Sequence, residues 1–436
     1  MHPRLRELLT PGTGLARIAG NAGWLALDRV ARMLVGLLVG IWVARHLGPE
    51  RFGELGYALA VLALAQTVAA LGLDSVVVRD LARDPSRAAP LLGTALRLKL
   101  ASGTVCWGLA VGAMWLAHGP AATPVLLVAL ASVALVMQAG DVVDFWFQSA
   151  SQNRRAVLAR LLALAAAALL RVGLILADAP LAAFAAAVAF EAATLAAALA
   201  LGYRRHRAAG RWHFDAATAR QLLVACAPLM LAAPAAAAHS RLDLILVKQL
   251  LGAEAAGTFV AVTTLSGAAV VLPTVLQLAL APAVARQRAA DPAAYRETLV
   301  RVFRLFFFGG LAVSLTLAWL AAPLIGLLYG PAYAAGAPVL AWHAFTNLFI
   351  ALGLAHSLWI VNEGRTGVRL AGNLMAAAVS VLANLWLLPR HGLVAAGAVA
   401  VLAQAIAAVG INALIARDSF WLQLRAITGL RLGSAR

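Results

Sequence analysis

Apolar runs of about twenty residues, the length that crosses a bilayer as one helix, recur along nearly all of this 436-residue chain. Short stretches of Gly, Pro and Arg separate them. Inside hydrocarbon every backbone N–H and C=O needs a partner within the protein, and a helix supplies one for each. Hydrophobic residues make up 63% of the sequence and charged residues 12%, about half the charged share of a soluble domain. A water-soluble globular protein is therefore excluded. Twelve spans are predicted, beginning near residues 18, 55, 100, 124, 157, 181, 221, 257, 303, 336, 368 and 393. The fold class expected is an all-α integral membrane protein.

The formal net charge is +17, which in a soluble protein would suggest nucleic acid. Here the arginines sit between apolar runs, so membrane topology accounts for them and no nucleic-acid partner is expected. With a cytoplasmic amino terminus, 27 of the 35 lysines and arginines fall on the inner side; four, Arg45, Arg51, Lys248 and Arg390, fall outside. The remaining four, Arg29, Arg32, Arg171 and Arg241, fall within spans. That asymmetry satisfies the positive-inside rule only with an even number of spans, so both termini are expected in the cytoplasm. The first residues, MHPRLRELLTPGTG, carry no cleavable signal pattern, and the first helix is expected to stay attached. Cys106 and Cys226 lie in apolar runs, so neither a disulfide framework nor a cysteine-rich metal site is expected.

LGPERFGEL at Leu47 to Leu55 and LGAEAAGTF at Leu251 to Phe259 share Leu, Gly, Glu and Gly at one offset of 204 residues. Arg97 and Arg301 obey the same offset, each opening the third helix of its half. Six spans per half make the halves parallel repeats about an axis along the membrane normal. The predicted organisation is an N-terminal six-helix lobe over 1–203, a basic cytoplasmic linker over 204–218, and a C-terminal lobe with a short tail over 219–436. Two such lobes around a central cavity are the usual architecture of alternating access.

An ionisable side chain inside a membrane costs several kcal/mol unless it meets a cavity or a partner, so each one is a candidate. In the first helix Asp28 and Arg32 are four residues apart, and Gly36 and Gly40 continue that broad face, leaving room for a neighbouring backbone. Arg29 lies about 16 Å deep at ~1.5 Å per residue from Ile18. Arg29 and Arg32 read either as a cationic wall for a phosphate or acidic sugar, or, for Arg32, as half of a neutralising pair with Asp28. In the seventh span Pro228 and Pro234 favour a bend. Arg241 and Lys248 share a face there, with Asp243 about 200° away from Arg241. Arg241 is then expected to face substrate while Asp243 ties the helix to another. Glu191, mid-span among Ala, Phe, Thr and Leu, reads as an ion-coupling acid or as the partner of Arg171. Asp141 and Asp144 precede the aromatic run Phe145, Trp146, Phe147 and read as interfacial anchors. His343, Asn347, Asn373 and Asn384 are expected to bond helix to helix. No paired-His motif, phosphate loop or nucleophile elbow is present, so no catalytic residue, metal site or enzyme activity is expected.

The stretch Asn21 to Gly53 with Asp28, Arg29 and VARHLGPERFG resembles the first helix and loop of bacterial polysaccharide flippases. RLDLILVKQLLGAEAAG at Arg241 to Gly257 is similar to that family's Arg-x-Asp helix followed by Gly-x-Glu-x-x-Gly, although Thr258 and Phe259 stand where an aromatic often follows the glycine directly. PLIGLLYGPAYAAGAPVL, Asn384, Pro389 and HGLVAAGAVA extend the likeness over nearly the whole chain. The resemblance is to the O-antigen, Wzx-type branch of the multidrug/oligosaccharidyl-lipid/polysaccharide exporter superfamily. It implies that an undecaprenyl-pyrophosphate-linked oligosaccharide is moved from the cytoplasmic to the periplasmic leaflet of the bacterial inner membrane. It further implies coupling to an H+ or Na+ gradient, no bound cofactor, and other polysaccharide assembly proteins as partners. Arg29, Arg32, Arg241 and Lys248 would hold pyrophosphate or acidic sugars, and Asp28, Glu191 or Asp243 would couple the ion. Among competing readings, a multidrug exporter of the same architecture suits cationic drugs and an acidic cavity, against which the intramembrane arginines argue. Lipid II flippases resemble a fourteen-helix version, two spans more than are read here. A membrane glycan polymerase or glycosyltransferase needs a long outer loop for its catalytic groups, and each outer loop here is short. A structural scaffold has little reason to bury so many charges.

Overall fold

The computed structural model describes residues 14–204 and 211–429; the side chains of 14–22, 25–26, 228–229, 231–233 and 235–240, those of Asn21 and Pro228 included, lie outside that description. Among the described residues every regular element is a helix. The first, α1, runs Gly14–Ala69 through a break at Gly48, and α2 follows at Leu73–Arg83. Next come α3 (Ala88–His118), α4 (Thr123–Ala131), α5 (Val133–Met137), α6 (Val142–Ser149), α7 (Asn153–Leu176) and α8 (Leu181–Arg204). The second half begins with α9 (Ala216–Leu251), α10 (Ala253–Ala268), α11 (Val271–Ala290), α12 (Pro292–Trp319) and α13 (Ala321–Leu328). It closes with α14 (Gly336–His343), α15 (Thr346–Glu363), α16 (Thr366–His391), α17 (Leu393–Ala405), α18 (Ile411–Ile415) and α19 (Arg417–Thr428).

Ten described stretches are long and apolar enough to cross a membrane. The first of these, Leu27–Arg83, holds the two runs on either side of Gly48, and the 36-residue α9 contributes a shorter apolar stretch, Ala216–Ala227, outside the ten. The arrangement is consistent with the twelve helices expected. Side chains such as Leu116 (79% exposed), Leu176 (83%) and Trp319 (81%) face outward, the surface expected of helices solvated by acyl chains. Between helices the packing rests on small residues that let backbones approach. Along α7, Ala156, Ala159, Ala163 and Ala167 form one buried stripe at three- and four-residue steps.

The chain forms two compact units, Met1–Gly40 with Val61–Ala233, and Ile41–Ala60 with Pro234–Arg436. They differ from the sequence halves in two places. Residues 41–60, around Gly48, belong to the second unit, and the division in α9 falls at Pro234. The first unit is centred on Leu73, Val77, Leu92, Phe145, Phe147 and Leu199. Phe145, Trp146 and Phe147 are buried in that core and so are not the interfacial belt anticipated. The second unit is centred on Leu299, Phe303, Phe306, Leu352 and Leu358.

The part of the linker that is described is seated on the first unit. Asp215 N–H donates to Thr94 Oγ1 at 3.0 Å, and the Arg97 guanidinium lies 5.4 Å over the Phe214 ring. Asp215 then opens α9, its carboxylate accepting from the Thr218 amide at 2.8 Å and from the Thr218 hydroxyl. The hydroxyl bond first, and the amide bond after it, hold the Asp215 carboxyl below the ordinary carboxylate range. Residues 205–210 lie outside the described residues.

The 204-residue repeat is visible in the backbone. Gly48 (φ 72°, ψ 169°) and Gly252 (φ 92°, ψ 179°) take the same positive-φ conformation, which a side chain disfavours. Each starts a helix, and within the second unit those helices cross at their glycines. A Cβ on Gly53 would stand 1.9 Å from the Ala253 carbonyl oxygen, and one on Gly257 would stand 1.8 Å from that of Pro49. Residues 49 and 253 are themselves related by the repeat offset, so the crossing is reciprocal.

Candidate functional site

The first unit holds a chain of alternating charges. On α1, Asp28 and Arg32 share a face, and Arg32 Nη2 lies 3.4 Å from Asp28 Oδ1. Arg160, from α7, reaches the other Asp28 oxygen at 3.0 Å and bonds both oxygens of Asp144 at 3.1 and 2.9 Å. On its other side Arg32 Nη1 approaches Glu191 Oε1 at 3.6 Å. Glu191 also accepts from Arg171 at 2.8 Å. Nearby, Lys99 Nζ meets Asp141 at 3.3 Å and lies 5.2 Å from the Phe145 ring centre. Acids and bases match four to four in these contacts. Desolvating so many charges is tolerated because each meets an opposite one.

The network borders a cavity of about 280 Å³ within the first unit, lined by Arg32, Gln66, Gln138, Asp141, Arg160 and Glu191 among others. Arg32 is paired with Asp28, the second of its two readings, and its side chain remains 43% exposed at the cavity. Glu191 is paired with Arg171, the second of its two readings, and with Arg32 as well. Asp144 is bound by Arg160. Arg29 lies about 100° around the helix from Asp28. It is exposed and has no ion pair among the described residues. The glycine face of α1 is open among the described residues: a Cβ on Gly36 or Gly40 would meet none of them within 4 Å, so these glycines do not admit a neighbouring backbone there as anticipated.

The second unit holds a different set. Arg241 is exposed and, like Arg29, has no ion pair among the described residues. Lys248, expected to meet substrate, instead lies 3.4 Å from Glu54 Oε1 and 4.6 Å from the Tyr57 ring centre. Asp243 is buried and is tied to α16, as the helix-joining reading proposed. Asn384 Nδ2 donates to its Oδ1 at 2.9 Å, and Ser380 Oγ donates to the same oxygen. Asn384 Oδ1 is buried without a partner. No cation pairs with Asp243 among the described residues. Asn347 joins α15 to α10 through Ser266 Oγ at 3.0 Å, the interhelical role anticipated for it.

Sequence reasoning missed Arg160, Gln66, Gln138 and Ser380. Arg160 is one of the 27 residues placed on the inner side by the sequence, with Arg154 and Arg155, yet it stands seven residues into α7 and meets two acids. Ser380 and Asn384 are four residues apart, a spacing that puts both on one face of α16 and was available in the sequence.

A model of the family described as polysaccharide biosynthesis protein matches residues 18–288. No curated protein matches the chain. Among solved structures, one similar in fold is an inward-facing multidrug resistance MATE family transporter of the MOP superfamily: 16% identity, TM-score 0.73, covering 91% of this chain and 94% of that one. Another is the lipid II flippase MurJ in an inward closed conformation: 11% identity, TM-score 0.72, covering 92% and 90%. A third is a MOP superfamily transporter from Pyrococcus furiosus: 16% identity, TM-score 0.63, covering 94% and 95%.

Proposed function

The chain belongs to the polysaccharide biosynthesis protein family, and on that premise we propose that it flips an undecaprenyl-pyrophosphate-linked oligosaccharide from the cytoplasmic to the periplasmic leaflet by alternating access, driven by an ion gradient. Its fold is that of transporters and flippases, not enzymes. The observation that carries the reading is the contrast among intramembrane arginines. Arg32, Arg160 and Arg171 are neutralised by acids, whereas Arg29 and Arg241 are exposed and unpaired among the described residues. A guanidinium held in a membrane helix without a counter-charge is stabilised by an anionic partner, and its forked donors match the oxygens of a pyrophosphate. Arg29 in the first unit and Arg241 in the second are therefore each assigned an anion-binding role within their own unit, Arg32 the rim of the neutral network, and Lys248 a structural pair.

For ion coupling, Asp243 is favoured over Asp28 and Glu191. Each of those two acids is held by two guanidinium groups, while Asp243 has only neutral donors. A cation or proton arriving at Asp243 displaces no existing counter-charge. The polar oxygens of Ser380 and Asn384 would complete its surroundings.

The test is translocation of a defined lipid-linked sugar in vesicles carrying the purified protein, under imposed proton or sodium gradients. Arg29→Ala and Arg241→Ala should each slow it about tenfold or more, the cost of one charge-assisted hydrogen-bonding partner. Unchanged rates in both variants would refute the headgroup assignment. Export of cationic drugs with no movement of the lipid-linked sugar would refute the substrate class.

A further inference from the structure

The cavity of the first unit differs in chemistry from the unpaired arginines. Its charged lining is already neutral: Arg32 and Arg160 meet Asp28, Glu191 and Asp144, and Asp141 meets Lys99. A pyrophosphate entering it would bring further negative charge beside Asp28, Asp141 and Glu191, where each cation is already matched by an acid. Hydroxyl groups bring no such charge. They can donate to spare carboxylate lone pairs and accept from unused guanidinium N–H groups while every pair stays closed.

Two further side chains point the same way. Gln66 and Gln138 both line the cavity, and neither amide has a hydrogen-bond partner among the described residues. Each therefore presents two donors and an acceptor, uncharged, to whatever occupies the space. Leu62 and Leu195 supply apolar wall between these polar groups. The volume of about 280 Å³ lies just under the ~300 Å³ at which pockets begin to take drug-sized ligands. It admits a group the size of a sugar ring, not a whole oligosaccharide.

We propose that this cavity is a glycan subsite: it takes a single sugar ring of the lipid-linked substrate through Gln66 and Gln138 and the outer edges of the ion-pair network, and so selects which glycan is carried. The inference rests on the functional reading above and deepens it. Anionic recognition falls to Arg29 and Arg241, and sugar recognition to a separate site without net charge. Discrimination is then a matter of hydroxyl pattern, because a site built to hydrogen-bond hydroxyls rejects analogues that leave its polar groups unpaired.

The test measures binding by the full chain in lipid nanodiscs. The probes are undecaprenyl pyrophosphate without sugar, and the same lipid carrying glucose, galactose, N-acetylglucosamine or N-acetylgalactosamine. The unsubstituted protein should bind at least one sugar-bearing lipid about fivefold or more tighter than the bare lipid. Gln66→Leu and Gln138→Leu should each bring that preference to within about twofold, while affinity for the bare lipid, which also reports a folded protein, stays unchanged. Arg29→Ala should weaken all five lipids alike. The subsite is overturned if no sugar adds affinity, if the glutamine variants keep the preference, or if they weaken bare and sugar-bearing lipid equally. Should the unsubstituted protein bind none of the five, the functional reading itself fails. Tight binding of all five with no preference among them removes the subsite alone.

Discussion

Arg160 is the residue on which the first unit's charges turn. It bonds Asp144 through two oxygens and Asp28 through a third, and its side chain is only 16% exposed. Replacing it by Met leaves the buried Asp144 without its cation and Asp28 with Arg32 alone, so Arg160→Met should lower stability by about 3 kcal/mol or more, the usual result of breaking a buried pair. Adding Asp28→Asn and Asp144→Asn should recover a large part of the loss, as read by thermal unfolding in detergent. A carboxyl tied only to neutral groups behaves otherwise. Asp243→Asn keeps bonds to Ser380 and Asn384 within reach and should leave the fold intact, while translocation in vesicles ceases to respond to an imposed proton or sodium gradient. A full gradient response in that variant would remove Asp243 from the coupling role. The pairs that were legible beforehand were local or matched in depth: Asp28 with Arg32 by its four-residue step, and Glu191 with Arg171 by position in adjacent spans. Arg160 was not legible because a count of charges by membrane side ignores how far a helix has already entered.

At the level of helices, the glycines of α1 and α10 divide by what stands opposite. Gly53→Ala and Gly257→Ala each drive a methyl group into a backbone carbonyl less than 2 Å away, where no side chain can yield. Each should destabilise by about 1–3 kcal/mol, as overpacking does. Gly36→Ala meets nothing within 4 Å and should stabilise α1 by roughly 0.5–1 kcal/mol through helix propensity. Comparison of the three melting temperatures checks both expectations. The repeated Leu-Gly motif was visible in the sequence, but its use as a crossing was not, because two glycines 204 residues apart carry no mark of facing one another. Helix extents were also under-read. The third and ninth spans were expected from residues 100 and 303, yet α3 starts at Ala88 and α12 at Pro292. Hydropathy marks the portion solvated by lipid, whereas the helix continues through polar turns until a cap or proline stops it. The short helices α2 and α19 escaped for the same reason, being too polar to register as spans.

For the whole molecule, the order and spacing of apolar runs were enough to read the fold, since a bilayer restricts spanning segments to helices of a nearly fixed length. The compact units were less legible, because contacts of residues 41–60 with the second unit depend on the glycine crossing. Orientation is tested by a single engineered thiol. Cys106 and Cys226 are buried, so Arg211→Cys, at an exposed position, should be the dominant labelling site. With the linker in the cytoplasm it should react in intact cells with a membrane-permeant maleimide and not with an impermeant one. Labelling by the impermeant reagent would reverse inside and outside. The reciprocal glycine crossing has a bearing on ancestry. Each repeat offers the other the same glycine notch and the same carbonyl, so a shorter forebear encoding one repeat already had what it needed to grip a twin of itself. Duplication and fusion would then have left the original handshake in place, and freed the surrounding positions of the two copies to diverge into different chemistries.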